Sequence, residues 1–312
     1  MSPGIESGVT EVAPAAPLEV TTGIRPRLLD YVELTKPRVT TMVLVTTLAG
    51  FYMGSGQGLD AGLLLRTLLG TALAAAGASA LNQYLERDSD GRMRRTRARP
   101  LPGGRLEPQR ALLFGSLLAA AGIVSLALFV NGLAALLVAL ILLSYVMLYT
   151  PLKSRSPLCT LVGSLPGALP PLVGSVAAEG RITPVGVALF AILFVWQLPH
   201  ALAIACLYRD DYHRGGCLML PVVAGDNEAA GRIALLYALA LVPVTLLPTV
   251  WGGAGVVYLC GALALGVLQA AAAAPLARTG SLPAARRLLL ASVAYLPALL
   301  GLMALDRQVL PR

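Results

Sequence analysis

The chain has 312 residues, 56% of them hydrophobic and only 13% charged, and a mean hydropathy of +0.74. That balance excludes an ordinary soluble domain and fits a polytopic membrane protein. A net charge of +8 raises nucleic acid as a partner, but the placement of the charges makes that unnecessary.

Residues 1–24 are polar, carry Pro and Gly, and lack the basic start and apolar run of a signal peptide. They read as a disordered cytoplasmic tail ahead of one membrane domain spanning 25–312. A bilayer crossing needs about 20 mostly apolar residues. Nine candidates follow, over 39–54, 63–85, 111–130, 133–149, 158–178, 185–207, 233–250, 254–274 and 288–305. Turn formers separate them, among them Gly54–Gly58, Pro100–Gly104, Asn131–Gly132, Pro151, Pro184, Gly252–Gly253 and Pro283. The predicted fold class is therefore an all-α polytopic membrane protein, a bundle of about nine transmembrane helices.

Nine crossings put twenty of the twenty-four Lys and Arg residues on the side of the N-terminus. Only Arg66, Arg181, Arg307 and Arg312 fall on the other. The positive-inside rule then places the N-terminus in the cytoplasm and the C-terminus across the membrane. Basic charge here is topology, and no nucleic acid is expected. The four cysteines (Cys159, Cys206, Cys217 and Cys260) have no CxxC spacing and three lie in apolar segments. Buried free thiols are expected, not a disulfide or a zinc site.

The acids need a different explanation, because carboxylates contribute little to topology. Glu86, Asp88, Asp90 and Glu107 follow the second span, and Asp210, Asp211, Asp226 and Glu228 follow the sixth. Asn82, Glu86 and Asp90 are spaced i, i+4, i+8, one stripe on a helix, with Asp88 near the opposite face. An amide and two carboxylates at a helix end suit Mg²⁺, which takes one or two carboxylates with waters and phosphate oxygens. The arginines from Arg92 to Arg99 suit a phosphate-bearing ligand. The plainer alternative is that these acids pair with nearby arginines at the interface. In the sixth span Gln197, Pro199 and His200 interrupt an apolar helix. The eleven-residue spacing from His200 to Asp211 predicts a shared helical face. His200 reads equally as a helix–helix hydrogen-bonding residue and as a ligand contact. Two acidic helix ends on one side suggest a metal–diphosphate site with an apolar ligand body below it.

The stripe Asn82-x-x-x-Glu86-x-x-x-Asp90 resembles the first acidic motif of the UbiA superfamily of intramembrane prenyltransferases. The strings NQYLERDSDGRMRRTRARPLP, LTKPRV (Leu34–Val39), YTPLKSRSPLCTLVGSLPGALPPLVG (Tyr149–Gly174) and WQLPH…DDY…MLP (Trp196–Pro221) are similar to its heme-farnesylating branch. Glu86 stands where the wider superfamily has Asp, and Cys159 and Ser164 depart from the branch pattern.

The resemblance implies transfer of a farnesyl group from farnesyl diphosphate to a vinyl group of heme B, with addition of water, giving heme O and diphosphate. It implies Mg²⁺ as cofactor, held by Asn82, Glu86, Asp90 and Asp211 with Asp210 as a further candidate. Lys36, Arg94, Arg97, Lys153, Arg155, His200 and Tyr212 are the implied substrate-binding positions, although Arg94, Lys153 and Arg155 read equally as topology determinants. A bacterial inner-membrane location is implied, surrounded by membrane lipid, with a heme A synthase or a terminal oxidase as consumer of the product. A prenyltransferase for another aromatic or tetrapyrrole acceptor is the near alternative, and a membrane transporter the distant one.

Overall fold

A computed structural model describes residues 28–56 and 58–309, so the expected tail over 1–24 lies outside the described residues. Twelve helical segments follow one another. They are α1 (Leu28–Leu34), α2 (Pro37–Gly54), α3 (Ala61–Arg92), α4 (Pro108–Phe129), α5 (Gly132–Leu152), α6 (Cys159–Glu179) and α7 (Pro184–Leu207), then α8 (Arg209–Gly215), α9 (Leu220–Val223), α10 (Asn227–Val250), α11 (Val256–Thr279) and α12 (Leu282–Val309). Among the described residues there is no strand.

Eight of these helices (α3 to α7 and α10 to α12) are long and apolar enough to cross a membrane. The ninth rod, α2, has 18 residues and is less apolar, because Arg38 and four threonines dilute it. It lies along α6, with Val39, Met42, Val45 and Leu48 facing outward. Helix starts follow the sequence signals: Asp60, Asn131, Thr183 and Asp226 each accept a backbone N–H of the first turn. Pro37, Pro108 and Pro184 stand where a missing N–H costs nothing.

Helix α3 is the largest departure from the expected boundaries. Its 32 residues span about 48 Å at 1.5 Å per residue, against a hydrocarbon core of about 30 Å. The surplus carries Glu86 and Asp90 beyond the apolar slab as helix, not loop. Helix α5 contains a π-helical turn over Ser144–Tyr149, which has no signature in hydropathy. Pro151 cannot donate to the carbonyl four residues earlier, and the turn before it widens. A third departure is the end of α7. Tyr208 adopts φ −113° and ψ 26°, outside the helical region, so Asp211 belongs to the separate helix α8. The shared helical face of His200 and Asp211 therefore does not exist.

Water cannot drive helices together inside a bilayer, so close contact depends on small residues. The crossing of α2 and α6 shows how far this goes. A Cβ on Gly50 would lie 1.8 Å from the Pro171 carbonyl oxygen, and one on Gly174 would lie 1.9 Å from that of Thr47. Helices α3 and α4 meet through Gly77 and Gly122 in the same way. Helix α7 packs against α6 on one side and α10 and α12 on the other, joining the two halves of the bundle. At the end away from the acidic loops, Asp306 accepts N–H groups of Gly255 and Tyr258 and so caps α11. All four cysteines are free, with Cys159, Cys206 and Cys217 buried.

Gly50→Ala and Gly174→Ala are each expected to destabilise the bundle by about 1–3 kcal/mol, the usual cost of overpacking. Gly301→Ala, with nothing within 4 Å of the new methyl, is expected to leave the apparent melting temperature in detergent unchanged or slightly raised.

Candidate active site

The site is built where the last turns of α3 meet the elbow before α2, the end of α5 and the short α8. Asn82 and Asp90 are almost fully buried, and the Glu86 side chain is 11% exposed. Each member of the predicted stripe has its own basic partner. Lys36 Nζ donates to Asn82 Oδ1 at 2.6 Å, Lys153 Nζ to Glu86 Oε1 at 2.6 Å, and Arg99 to Asp90 Oδ2 at 2.6 Å. Asn82 in turn donates through Nδ2 to Thr150 Oγ1 at 3.0 Å. Asp88 stands off the stripe and is exposed beside Arg87.

Lys36 is held in a costly conformation. It is the only described non-glycine residue with positive φ, at φ 46° and ψ 65°. A residue in that region costs on the order of 1–3 kcal/mol and persists only where its surroundings over-determine it. Those surroundings are explicit. Gln83 donates to the Leu34 carbonyl at 3.0 Å, Arg105 binds Asp30 and Glu33, and Leu34 is fully buried. Burial pushes the Lys36 ammonium down to about 7, and the nearby Arg99 guanidinium adds to the shift. Burial also works against the Lys153 charge, but Tyr149 and Glu86 beside it outweigh that and hold its pKa well above the lysine range. Lys153 lies 4.5 Å from the centre of the Tyr149 ring.

Asp211 joins the second acidic segment to the first in a way that spacing did not suggest. Its carboxylate accepts the backbone N–H groups of Arg94 and Arg95, both at 3.2 Å, and the guanidinium of Arg214. Arg214 and those two amides hold the Asp211 carboxyl below the usual carboxylate range, against the opposing effect of burial. Asp210, its neighbour, is exposed and has no hydrogen bond or ion pair among the described residues. The side chains of Arg94, Arg97 and Arg155 are also exposed and unpartnered among the described residues. Arg214 and Thr150 are contributors that the sequence reading missed. Arg99 belongs to the Arg92–Arg99 run read from the sequence as suited to phosphate, but its pairing with Asp90 left no signal in the spacing.

Two cavities flank this cluster. One, of about 340 Å³, is largely apolar and runs between α2, α3, α5, α6 and α7; Val43, Ala78, Ile141, Tyr149, His200 and Tyr212 are among its walls. Its volume lies in the range of about 300–1,000 Å³ typical of small-molecule sites. The other, of about 320 Å³, is lined by Glu86, Ser89, Arg92, Thr150 and Lys153. Tyr149 lines the apolar cavity and carries Lys153 over its ring, so the compartments share a wall. The π-helical turn makes that wall, stacking Tyr145 on Tyr149 at 5.5 Å. Gln197 and His200 do not lead into a polar pathway. Gln197 donates to the Leu193 carbonyl at 3.0 Å, and His200 Nδ1 meets Ser292 Oγ at 2.8 Å.

Among the described residues no three His, Cys, Asp or Glu side chains cluster closely enough to hold a metal by themselves. One observation still favours a cation here: Asp90 Oδ1 is buried without a hydrogen-bond partner. A buried carboxylate oxygen left unpaired is costly. A hard divalent ion sharing its shell with phosphate oxygens would satisfy it without a full protein cage.

An apolar bundle cavity beneath a charge-paired polar mouth is the arrangement of an intramembrane enzyme for amphiphilic substrates, and comparison with known proteins agrees. The chain belongs to the UbiA prenyltransferase family, whose pattern it matches over residues 43–305. A protoheme IX farnesyltransferase of Solibacter usitatus is 47% identical over 89% of this chain and 98% of its own length. Another, from Koribacter versatilis, is 42% identical over 92% and 96%. Among solved structures, a digeranylgeranylglyceryl phosphate synthase superposes with a TM-score of 0.77 at 19% identity, covering 91% of this chain and 99% of that one. A UbiA homologue from Archaeoglobus fulgidus bound to GPP and Mg²⁺ gives 0.65 at 17%, covering 88% and 99%. At such identities the likeness establishes the fold.

Because Asp211 has a depressed pKa, its fastening of the 93–106 loop is present above the unfolded carboxyl value of about 3.9 and is lost as pH falls through the lower folded value. Asp211→Asn is expected to lower the hydrogen-exchange protection factors of the Arg94 and Arg95 amides at neutral pH. The wild type should lose the same protection, relative to the intrinsic exchange rate, only in acid, and the variant no further protection there.

Proposed function

We infer that the protein transfers a farnesyl group from farnesyl diphosphate to a vinyl group of heme B, with addition of water, releasing diphosphate and heme O. One observation carries this reading from the geometry: an apolar cavity of about 340 Å³ shares the Tyr149 wall with a cluster of carboxylates, each bound to a base. The apolar bodies of the two substrates share the apolar compartment, and the diphosphate takes the polar one. The protoheme IX farnesyltransferase relatives support heme as acceptor over another aromatic or tetrapyrrole.

In the reaction the allylic C–O bond breaks, the vinyl carbon bonds to C1 of the farnesyl group, and water adds to the neighbouring carbon with loss of a proton. Negative charge grows on the departing diphosphate, so fixed positive charge there lowers the barrier. Lys36, Lys153 and Arg99 supply it, with Arg94, Arg97 and Arg155 at the rim. Mg²⁺ held by Asn82, Glu86, Asp90 and Asp211 supplies Lewis-acid stabilisation and a template when bound. The pairing suggests a partner exchange. Carboxylates now bound to Lys153, Arg99 and Arg214 release those bases toward the diphosphate, and the total charge of the site stays balanced. Tyr212 and the apolar walls keep water from the allylic cation until the vinyl group reacts. Asp210, exposed on α8, stands at the margin of this scheme.

We place the acidic end, and with it the N-terminus, on the cytoplasmic side of a bacterial inner membrane, because the basic residues gather there. The catalytic unit is residues 25–312, and the product passes to a heme-processing enzyme or terminal oxidase.

In nanodiscs with heme B, farnesyl diphosphate and Mg²⁺, mass spectrometry of the pigment is expected to show a gain of farnesyl plus water that EDTA abolishes. Glu86→Gln and Lys153→Met are each expected to lower kcat by about 10²-fold or more, the scale of losing one charge-stabilising contact. An unchanged pigment mass beside an active control would exclude heme as the acceptor.

A further inference from the structure

His200 is the only imidazole inside a membrane-spanning helix, the other histidine, His213, being exposed on α8. Its hydrogen bonds fix which nitrogen carries the proton. Ser292 Oγ donates its single hydrogen to the Leu289 carbonyl at 2.7 Å. The 2.8 Å contact between Ser292 Oγ and His200 Nδ1 therefore has the hydrogen on Nδ1, with the serine oxygen accepting. That leaves Nε2 with a free lone pair. Nε2 has no hydrogen-bond partner among the described residues and is not among the sealed, unsatisfied atoms, and the His200 side chain lines the apolar cavity.

The ring is also held still. Trp196 stacks on it at 5.0 Å and 23°, and the same indole donates through Nε1 to the Ser292 carbonyl at 3.0 Å. An imidazole whose N–H is tied to a second residue and whose other nitrogen is bare is how proteins prepare a histidine to bind a metal. Met219, the soft ligand that shares this cavity, has its sulfur engaged by Cys159 at 3.6 Å and Thr160 at 4.0 Å. His200 lies eight residues before the break at Tyr208, about 12 Å down the helix axis. That is too deep for a base acting at the diphosphate end, and a suitable depth for the centre of a macrocycle whose edge reaches upward.

We propose that His200 Nε2 is the axial ligand for the iron of the tetrapyrrole acceptor, oriented by the Ser292–Leu289 relay and by Trp196. The inference rests on the heme-farnesylating reading and assigns the residue that anchors that substrate.

The test uses the full chain in nanodiscs, titrated with hemin and with iron-free protoporphyrin IX in the absence of farnesyl diphosphate. The wild type is expected to show a histidine-ligated iron spectrum and at least a tenfold preference for hemin over the iron-free porphyrin. His200→Ala is expected to lose both, and added imidazole to restore the spectrum. Ser292→Ala keeps the ligand, so it should keep the preference but shift the iron–histidine stretching band in the ferrous state. An unchanged spectrum and preference in His200→Ala, or a wild-type band in Ser292→Ala, overturns the assignment while leaving the heme reading intact. A wild type that binds neither porphyrin overturns that reading and this one together.

Discussion

Buried charge at the end of helix α3 is the constraint on which the rest of the molecule depends. Asp90 is 1% exposed and the Glu86 side chain 11%, so neither carboxylate can be left to water. Removing one partner from a buried pair costs on the order of 3–5 kcal/mol, because it strands the other charge. Lys153 and Arg99 must therefore stay within reach, and each comes from a different segment. The end of α5 delivers Lys153 past a π-helical turn. The loop after α3 delivers Arg99, and it is tied to α8 through the Arg94 and Arg95 amides on Asp211. Even the strained Lys36 answers to this cluster, since its ammonium occupies Asn82 Oδ1.

Sequence patterns disclosed the parts of this arrangement that have a period or a length. Apolar runs located the eight long helices and the shorter candidate over 39–54, and the asymmetry of Lys and Arg supported counting that ninth rod although the hydropathy of α2 is diluted. The i, i+4, i+8 spacing put Asn82, Glu86 and Asp90 on one face because the helix continues beyond the apolar slab. What stayed hidden depends on contacts between distant segments. Which of the five arginines from Arg92 to Arg99 meets Asp90 is decided by a loop path, and spacing along a loop sets no direction. Asp210 and Asp211 are adjacent, and only the break at Tyr208, made without Gly or Pro, turns one inward and leaves the other exposed. The same break separates His200 from Asp211, which an uninterrupted helix would have aligned.

Small residues bring the helices together and also leave room between them. Gly50 and Gly174 let α2 and α6 touch backbone to backbone, and Gly77 and Gly122 do the same for α3 and α4. On the cavity side Gly163 makes way for the Tyr149 ring and Gly167 for the Gln197 amide, where a Cβ would lie 2.6 Å and 2.0 Å away. Prolines within α6 and α7 remove backbone donors in the same region, and the Gln197 amide bridges the two helices by donating to the Ser164 carbonyl of α6 and the Leu193 carbonyl of α7. Close backbone contact at the edges of the helix pairs and bulky aromatic walls between them produce one bounded compartment in a bundle that would otherwise fill with side chains.

The balance between the two compartments follows from the solvent. An apolar chain taken from water gains about 0.8 kcal/mol per buried CH₂, but a farnesyl chain arriving from lipid gains almost none of it, since lipid tails are as apolar as the cavity wall. Affinity for such a substrate must come from its charged head. The head group in turn leaves water for a site in which carboxylates already hold Lys153, Arg99 and Arg214 and the Asn82 amide holds Lys36. A diphosphate can repay that loss by exchange, drawing Lys153, Arg99 and Arg214 away from Glu86, Asp90 and Asp211, which would then be free to hold a divalent ion. In the proposed scheme the tail cavity therefore selects length and excludes water, and the paired charges at the mouth determine whether the substrate binds at all.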